Sequence, residues 1–121
     1  MSYDPLSQVI DEALTVDPSV LEQLRKYRLV SKLPHLPGTN VTEERRRLEA
    51  NVNELVDRLL GGVEKNPTKH WVLGHFQPSL AAVEMEDTEG REHFGMEIES
   101  IMDILGIESS DGLLAYYLGG I

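Results

Sequence analysis

NVTEERRRLEANVNELVDRLLGG, Asn40 to Gly62, decides the fold class. Leu48, Val52, Leu55, Val56, Leu59 and then Val63 recur at intervals of three and four residues. That spacing puts them on one face of a 3.6-residue helix, with charged and amide side chains on the other. Asn40 followed by Glu43 has the spacing of a capping box, with Asn in place of the usual Ser or Thr, and Thr42 is the alternative start. Gly61-Gly62 supplies the stop.

Working outward, the same logic predicts helices on both sides. Asp4-Pro5, Asp17-Pro18 and Asn66-Pro67 each put a capping side chain before a proline that needs no N–H at the first helical position. After Asp4 the apolar residues Leu6, Val9, Ile10, Ala13 and Leu14 keep helical spacing, and after Asp17 so do Val20, Leu21, Leu24 and Tyr27. LPHLPGTN, Leu33 to Asn40, reads as a rigid loop. Beyond Pro67, Val72, Phe76, Leu80 and Val83 continue the pattern, interrupted by Pro78, which gives one kinked helix or two short ones. Asp87-Thr88 starts the next, with Phe94, Ile98, Ile101, Met102 and Leu105 as its buried stripe. Gly106 then sits where a left-handed cap belongs, and Ile107 folds back on Met102. Ser109 or Ser110 caps a last short helix, so the Ser109–Gly112 stretch is a cap and not a reactive loop. The expectation is an all-α, single-domain bundle over residues 1–121: about five helices plus a short C-terminal one, antiparallel neighbours joined by short loops. Trp71, Phe76 and Phe94 are expected in the core, with Tyr117 inside and Tyr116 outside.

Charge divides the chain. The net charge is -10, yet residues 23–47 carry seven bases against two acids, and residues 84–121 carry ten acids against the single base Arg91. An acidic protein is a poor ligand for phosphate backbones, so nucleic acid is disfavoured as a partner. There is no cysteine, hence no disulfide and no thiolate metal site. The first residues lack the basic start and apolar run of a secretion signal. No apolar stretch approaches the roughly 18 residues of a membrane span. A cytoplasmic protein with no membrane association is expected.

Four groups of residues are candidates for function. On the helix after Asp87, Glu89, Glu92, Met96, Glu99 and Asp103 share one face, and Glu99 and Asp103 are like charges at i, i+4. Such a face keeps the protein soluble, docks a cationic partner, or holds a divalent metal, for which Glu89 and His93 at i, i+4 are the nearest and a lone match to the paired Glu-x-x-His of di-metal bundles. Tyr116 is the apolar anchor beside it. The bases Arg25, Lys26, Arg28 and Lys32 precede the 33–40 loop and Arg45-Arg46-Arg47 follow it. They either pair with acidic segments or, with His35, form an anion or ligand patch of Arg25, Arg28, His35 and Arg45. Arg45 with Glu49 and Glu54 with Arg58 have the spacing of helix ion pairs. The histidines His35, His70, His75 and His93 lack the spacing of a helical zinc site, and no nucleophile elbow, HExxH or Walker motif occurs. No metal, cofactor or catalytic residue is expected.

Asp87-Thr88-Glu89, Arg91-Glu92 and the run Ile104-Leu105-Gly106-Ile107-Glu108-Ser109-Ser110-Asp111-Gly112-Leu113-Leu114 resemble a family of small bacterial proteins of unknown function. The resemblance covers about a third of the chain. It implies a small soluble bacterial protein and brings no activity and no site residue with it. The leading expectation is a non-enzymatic protein-binding domain, in the general character of an inhibitor or immunity protein for a basic partner. The alternative is a ligand-binding or enzymatic domain with a pocket near the 33–40 loop. Self-association, with the basic and acidic segments pairing between subunits, is a third.

Overall fold

The computed structural model describes residues 3–36 and 41–119. It is all-α, with five α-helices and no strand among the described residues. A 3-10 turn, Pro5–Gln8, comes first; then α1 Pro18–Leu29, α2 Val41–Leu60, α3 Lys69–Ala81, α4 Thr88–Leu105 and α5 Leu113–Leu118. The amphipathic helix α2 is the hub, packing against α1, α3 and α4, while α5 rests on α3 and α4. Its stripe of Leu48, Val52, Leu55, Val56 and Leu59 is buried, and Val63 with it. These side chains join Phe76, Phe94, Ile98 and Ile101 in one core cluster.

Several starts and stops follow the chemistry of the chain. The carboxylates of Asp17 and Asp87 accept the N–H groups of Val20 and Gly90 at 3.0 and 2.8 Å. Gly106 takes the left-handed conformation at φ 74°, and Ile107 N–H returns to the Met102 carbonyl at 2.9 Å with its side chain buried. This is the Schellman ending expected of that sequence. The cap proposed at Asn40 lies outside the described residues.

Three expectations need correction. The first helix is a single 3-10 turn. Asp4 caps it, but the chain then runs extended as a strap across the start of α3. Lys69 N–H donates to the Glu12 carbonyl at 2.9 Å, Leu14 N–H to the Pro67 carbonyl at 2.7 Å, and His70 N–H to the Asp11 carboxylate at 2.9 Å. Backbone groups that a helix would have bonded locally are satisfied by a segment more than fifty residues away. For the same reason Asn66-Pro67 does not open α3: Pro67 serves the strap, and Thr68 is the cap. Trp71 is only half-buried, with its ring 4.2 Å from that of His75. Pro78 neither divides nor ends the helix at Gln77, because α3 continues to Ala81. On either side of the proline, Arg58 donates to the His75 carbonyl and Asn51 to the Ser79 carbonyl. These side chains from α2 fasten the last turns of α3.

Candidate functional site

The acidic face of α4 is as the periodicity requires. Glu89, Glu92, Glu99 and Asp103 are all exposed, and Met96 among them is 51% exposed. From Glu92 to Asp103 the stripe runs roughly 16 Å at the helical rise. None of these four carboxylates joins an ion pair among the described residues. Asp103 lies in the last turn of α4, which holds no base. The carbonyl end of a helix carries partial negative charge, so an acid there is destabilising.

Beside the stripe runs a groove between α4 and α5. Its upper part is lined by Glu92, Gly95, Met96, Glu99, Leu114 and Leu118. Its lower part continues past Glu99, Asp103, Glu108 and Leu114 to Ser109 and Ser110. Gly95 makes the closeness of the helices possible, since a Cβ there would stand 3.0 Å from Leu118 Cδ1. The groove thus has an acidic rim and a partly apolar floor. Tyr116 is not in it. It is 54% exposed but projects from the far side of α5, where its ring lies 5.5 Å from Tyr3 and 5.0 Å from Tyr117. The apolar groups beside the acids are instead Met96 and Leu114. Gly95, a residue that helix interiors disfavour, is the sequence signal for this close approach.

The basic segment is used differently. Arg28 holds Asp57 through Nε at 2.8 Å, and Arg47 holds Glu86 with Nη2 at 2.6 Å. Arg45 donates to the Leu33 carbonyl at 3.0 Å, and its Nη2 reaches the Pro34 carbonyl. Among the described residues Arg25 pairs with Glu22 alone, at 3.7 Å, and His35 is exposed. Arg28 and Arg45 are thus fixed at separate places, Arg28 at Asp57 and Arg45 at the Leu33 carbonyl, and both guanidiniums are already occupied. Asp57 and Arg45 are positions of α2 roughly 18 Å apart at the helical rise. The expected Arg45–Glu49 and Glu54–Arg58 pairs do not form. Glu49 accepts Lys32 N–H at 2.7 Å, and Arg58 reaches Ser79 Oγ at 2.8 Å.

Two buried lysines, unmarked in the sequence, organise the polar interior. Lys32 is fully buried and caps α1 from behind. Its ammonium donates to the Tyr27 and Arg28 carbonyls at 2.5 and 2.9 Å and lies 4.6 Å from the Tyr27 ring centre. Burial lowers its pKa, against the pull of the Glu49 carboxylate. Next to it Glu97 accepts the Tyr27 hydroxyl and, at 2.8 Å, Leu33 N–H, so the turn at Leu33 (φ 54°) is held from both sides. Burial, then the neighbouring Glu97, pushes the Tyr27 phenol far up. Lys69, 3% exposed, forms the second knot. It bonds Asp111 Oδ2 at 2.8 Å, and the same oxygen accepts Ile10 N–H at 2.9 Å. Asp111 sits at φ 53°, and the Lys69 ammonium and Ile10 N–H hold its carboxyl below the usual range. This one carboxylate ties the strap, α3 and the α4–α5 loop together. Ser110 Oγ accepts Leu114 N–H at 3.2 Å, but neither Ser109 nor Ser110 is the cap expected there: α5 starts from Gly112 at φ 90°, with no side-chain cap bond.

Among the described residues no three His, Asp or Glu side chains are grouped to hold a metal ion. His75, half-buried on Trp71, is held below its ordinary pKa by burial and then by Arg58. Among the same residues no helix is long and apolar enough to cross a membrane.

Residues 12–121 match the model of a family described as Domain of unknown function (DUF4844), and the chain belongs to that family. The match covers the acidic helix, the Lys32 knot and the Lys69–Asp111 pair, and leaves out Ile10 of the strap. No curated protein and no solved structure matches the chain.

Proposed function

We propose that this chain is a small protein-binding domain without chemistry of its own, which docks a cationic segment of a partner protein along the α4–α5 groove. The observation that carries this reading is the acidic stripe of Glu92, Glu99 and Asp103, exposed, unpaired among the described residues, and continued to the carbonyl end of its helix. That arrangement costs the isolated domain stability through like-charge repulsion and the helix dipole. A face kept only for solubility has no need to concentrate its charge there. A cationic partner would relieve both costs, associate faster and be released by salt. The proposal extends to a bacterial cytoplasmic setting and to the role of an inhibitor or immunity-type protein for a basic partner, an analogy from size and charge. The alternative, a ligand pocket around Arg25, Arg28, His35 and Arg45, draws less support because Arg28 and Arg45 are already engaged.

The test uses a fluorescent helical peptide with a Lys/Arg face flanking a leucine, titrated against wild-type protein and the E99K/D103K variant at low and high salt. Salt-sensitive binding by the wild type, lost in the variant, supports the site. Equal binding by both, or by neither, removes it.

A further inference from the structure

We infer that the occupant of the α4–α5 groove is a second copy of this chain, which presents the exposed end of its α1. The inference rests on the reading of the groove as a docking surface and goes beyond it by naming the partner.

The complementary surface is on the same molecule. The solvent side of α1 carries Arg25, Lys26 and Leu29, followed at once by Val30. Leu29 is 85% exposed and Val30 57%. Lys26 joins no ion pair among the described residues, and the contact of Arg25 with Glu22 is long and between exposed groups. Bases flanking protruding aliphatic side chains are what a groove with an acidic rim and an apolar floor of Leu114, Leu118 and Met96 would take. The two surfaces cannot meet within one chain. Tyr27, on the opposite side of α1 from Arg25 and Leu29, is the residue that faces α4, at Glu97. The solvent side of α1 therefore looks away from its own groove. Each copy then offers one knob and one groove, a heterologous contact that either closes a ring or extends.

Charge reversal tests this. One variant, R25E/K26E, reverses the knob; the other, E99K/D103K, reverses the groove. All four positions are exposed, so both should keep the helical circular dichroism of the wild type. Leu29→Ser, also exposed, is a third probe that leaves charge untouched. Sedimentation velocity at low ionic strength should show the wild-type mass rising with concentration and each reversed variant alone staying monomeric. An equimolar mixture of the two should regain the larger species, because opposite charges again face each other. L29S should weaken association without abolishing its salt response. A wild type that is monomeric at every concentration overturns the inference, as does an R25E/K26E variant that associates like the wild type. Titrating the same Lys/Arg-leucine peptide alongside separates the two readings. Peptide capture by a monomeric wild type sinks the second copy and leaves the groove standing; no capture and no association sink both.

Discussion

The basic stretch of residues 23–47 and the acidic stretch of residues 84–121 look, as sequence, like two halves of one ion-pair system. Among the described residues a single ion pair, Arg47–Glu86, joins them. The bases Arg28 and Arg45 are spent locally, on Asp57 and on loop carbonyls, and Lys32 is buried against the end of α1. Two of the acids, Glu97 and Asp111, are likewise drawn into polar knots inside the fold. Of the acids left over, Glu89, Glu92, Glu99 and Asp103 lie on one face and join no ion pair among the described residues. The difference teaches that net charge by region says little about use. What matters is whether each charge is consumed by the backbone or is left facing water.

This contrast can be broken from the side where charges are consumed. The largest effect is expected from Asp111→Ala. It strands the buried ammonium of Lys69, frees Ile10 N–H, and so loosens the strap, α3 and the α4–α5 loop together. Thermal melts should show the deepest fall of any substitution proposed here, and hydrogen exchange should quicken at Ile10 and Lys69 first. Acid reports the same knot. The Asp111 carboxyl is held below its ordinary 3.8, so its contribution is full above that pH and is lost as pH falls through the lowered value. Asp111→Asn should therefore lower stability near neutrality and flatten its decline below pH 3.8.

Glu97→Ala comes next. It leaves Leu33 N–H unsatisfied and the Tyr27 hydroxyl with only the backbone carbonyl of residue 97 at 3.3 Å, a loss of about 1–3 kcal/mol, measurable by denaturant unfolding. Lys32 sharpens the comparison from the alkaline side. Its pKa is lowered in the fold, so the unfolded chain holds the proton longer, and stability should rise with pH between the lowered value and the ordinary 10.5. Lys32→Met should abolish that rise, provided it is read below pH 10, where the raised Tyr27 phenol begins to act in the opposite sense.

The smallest stability effect should come from the face that nothing consumes. E99K/D103K replaces acids near the carbonyl end of α4 by bases, and should raise stability by about a few tenths of a kcal/mol at low salt. A fall in stability would mean that the acids have partners inside the domain.

Much of the fold was legible in the sequence because its signals are local. The Asp17 and Asp87 caps, the α2 stripe, and the Gly106–Ile107 ending each depend on residues within one or two turns of each other. The strap was not legible, because Leu6, Val9 and Leu14 fit a helical stripe and the partners that overrule it are Pro67 and Lys69. The polar knots were hidden for the same reason. Lys32 and Lys69 read as surface lysines, and Glu97 is set off the acidic stripe by only its place in the helical repeat. Of the candidate face, the shared exposure of the acids follows from period alone. Tyr116 was misjudged as their neighbour, because the turn of α5 that carries Leu114 into the groove carries Tyr116 to its far side.

The measurement that bears most directly on the acidic face combines two readings on one variant. The thermal midpoint and the affinity for the Lys/Arg-leucine peptide are recorded for wild type and E99K/D103K in the same low-salt buffer. If the face is a docking surface, the variant melts at or above the wild type and no longer binds the peptide. If the variant melts lower, or binds the peptide as the wild type does, the acids of α4 belong to the domain's own stability or solubility and not to a partner.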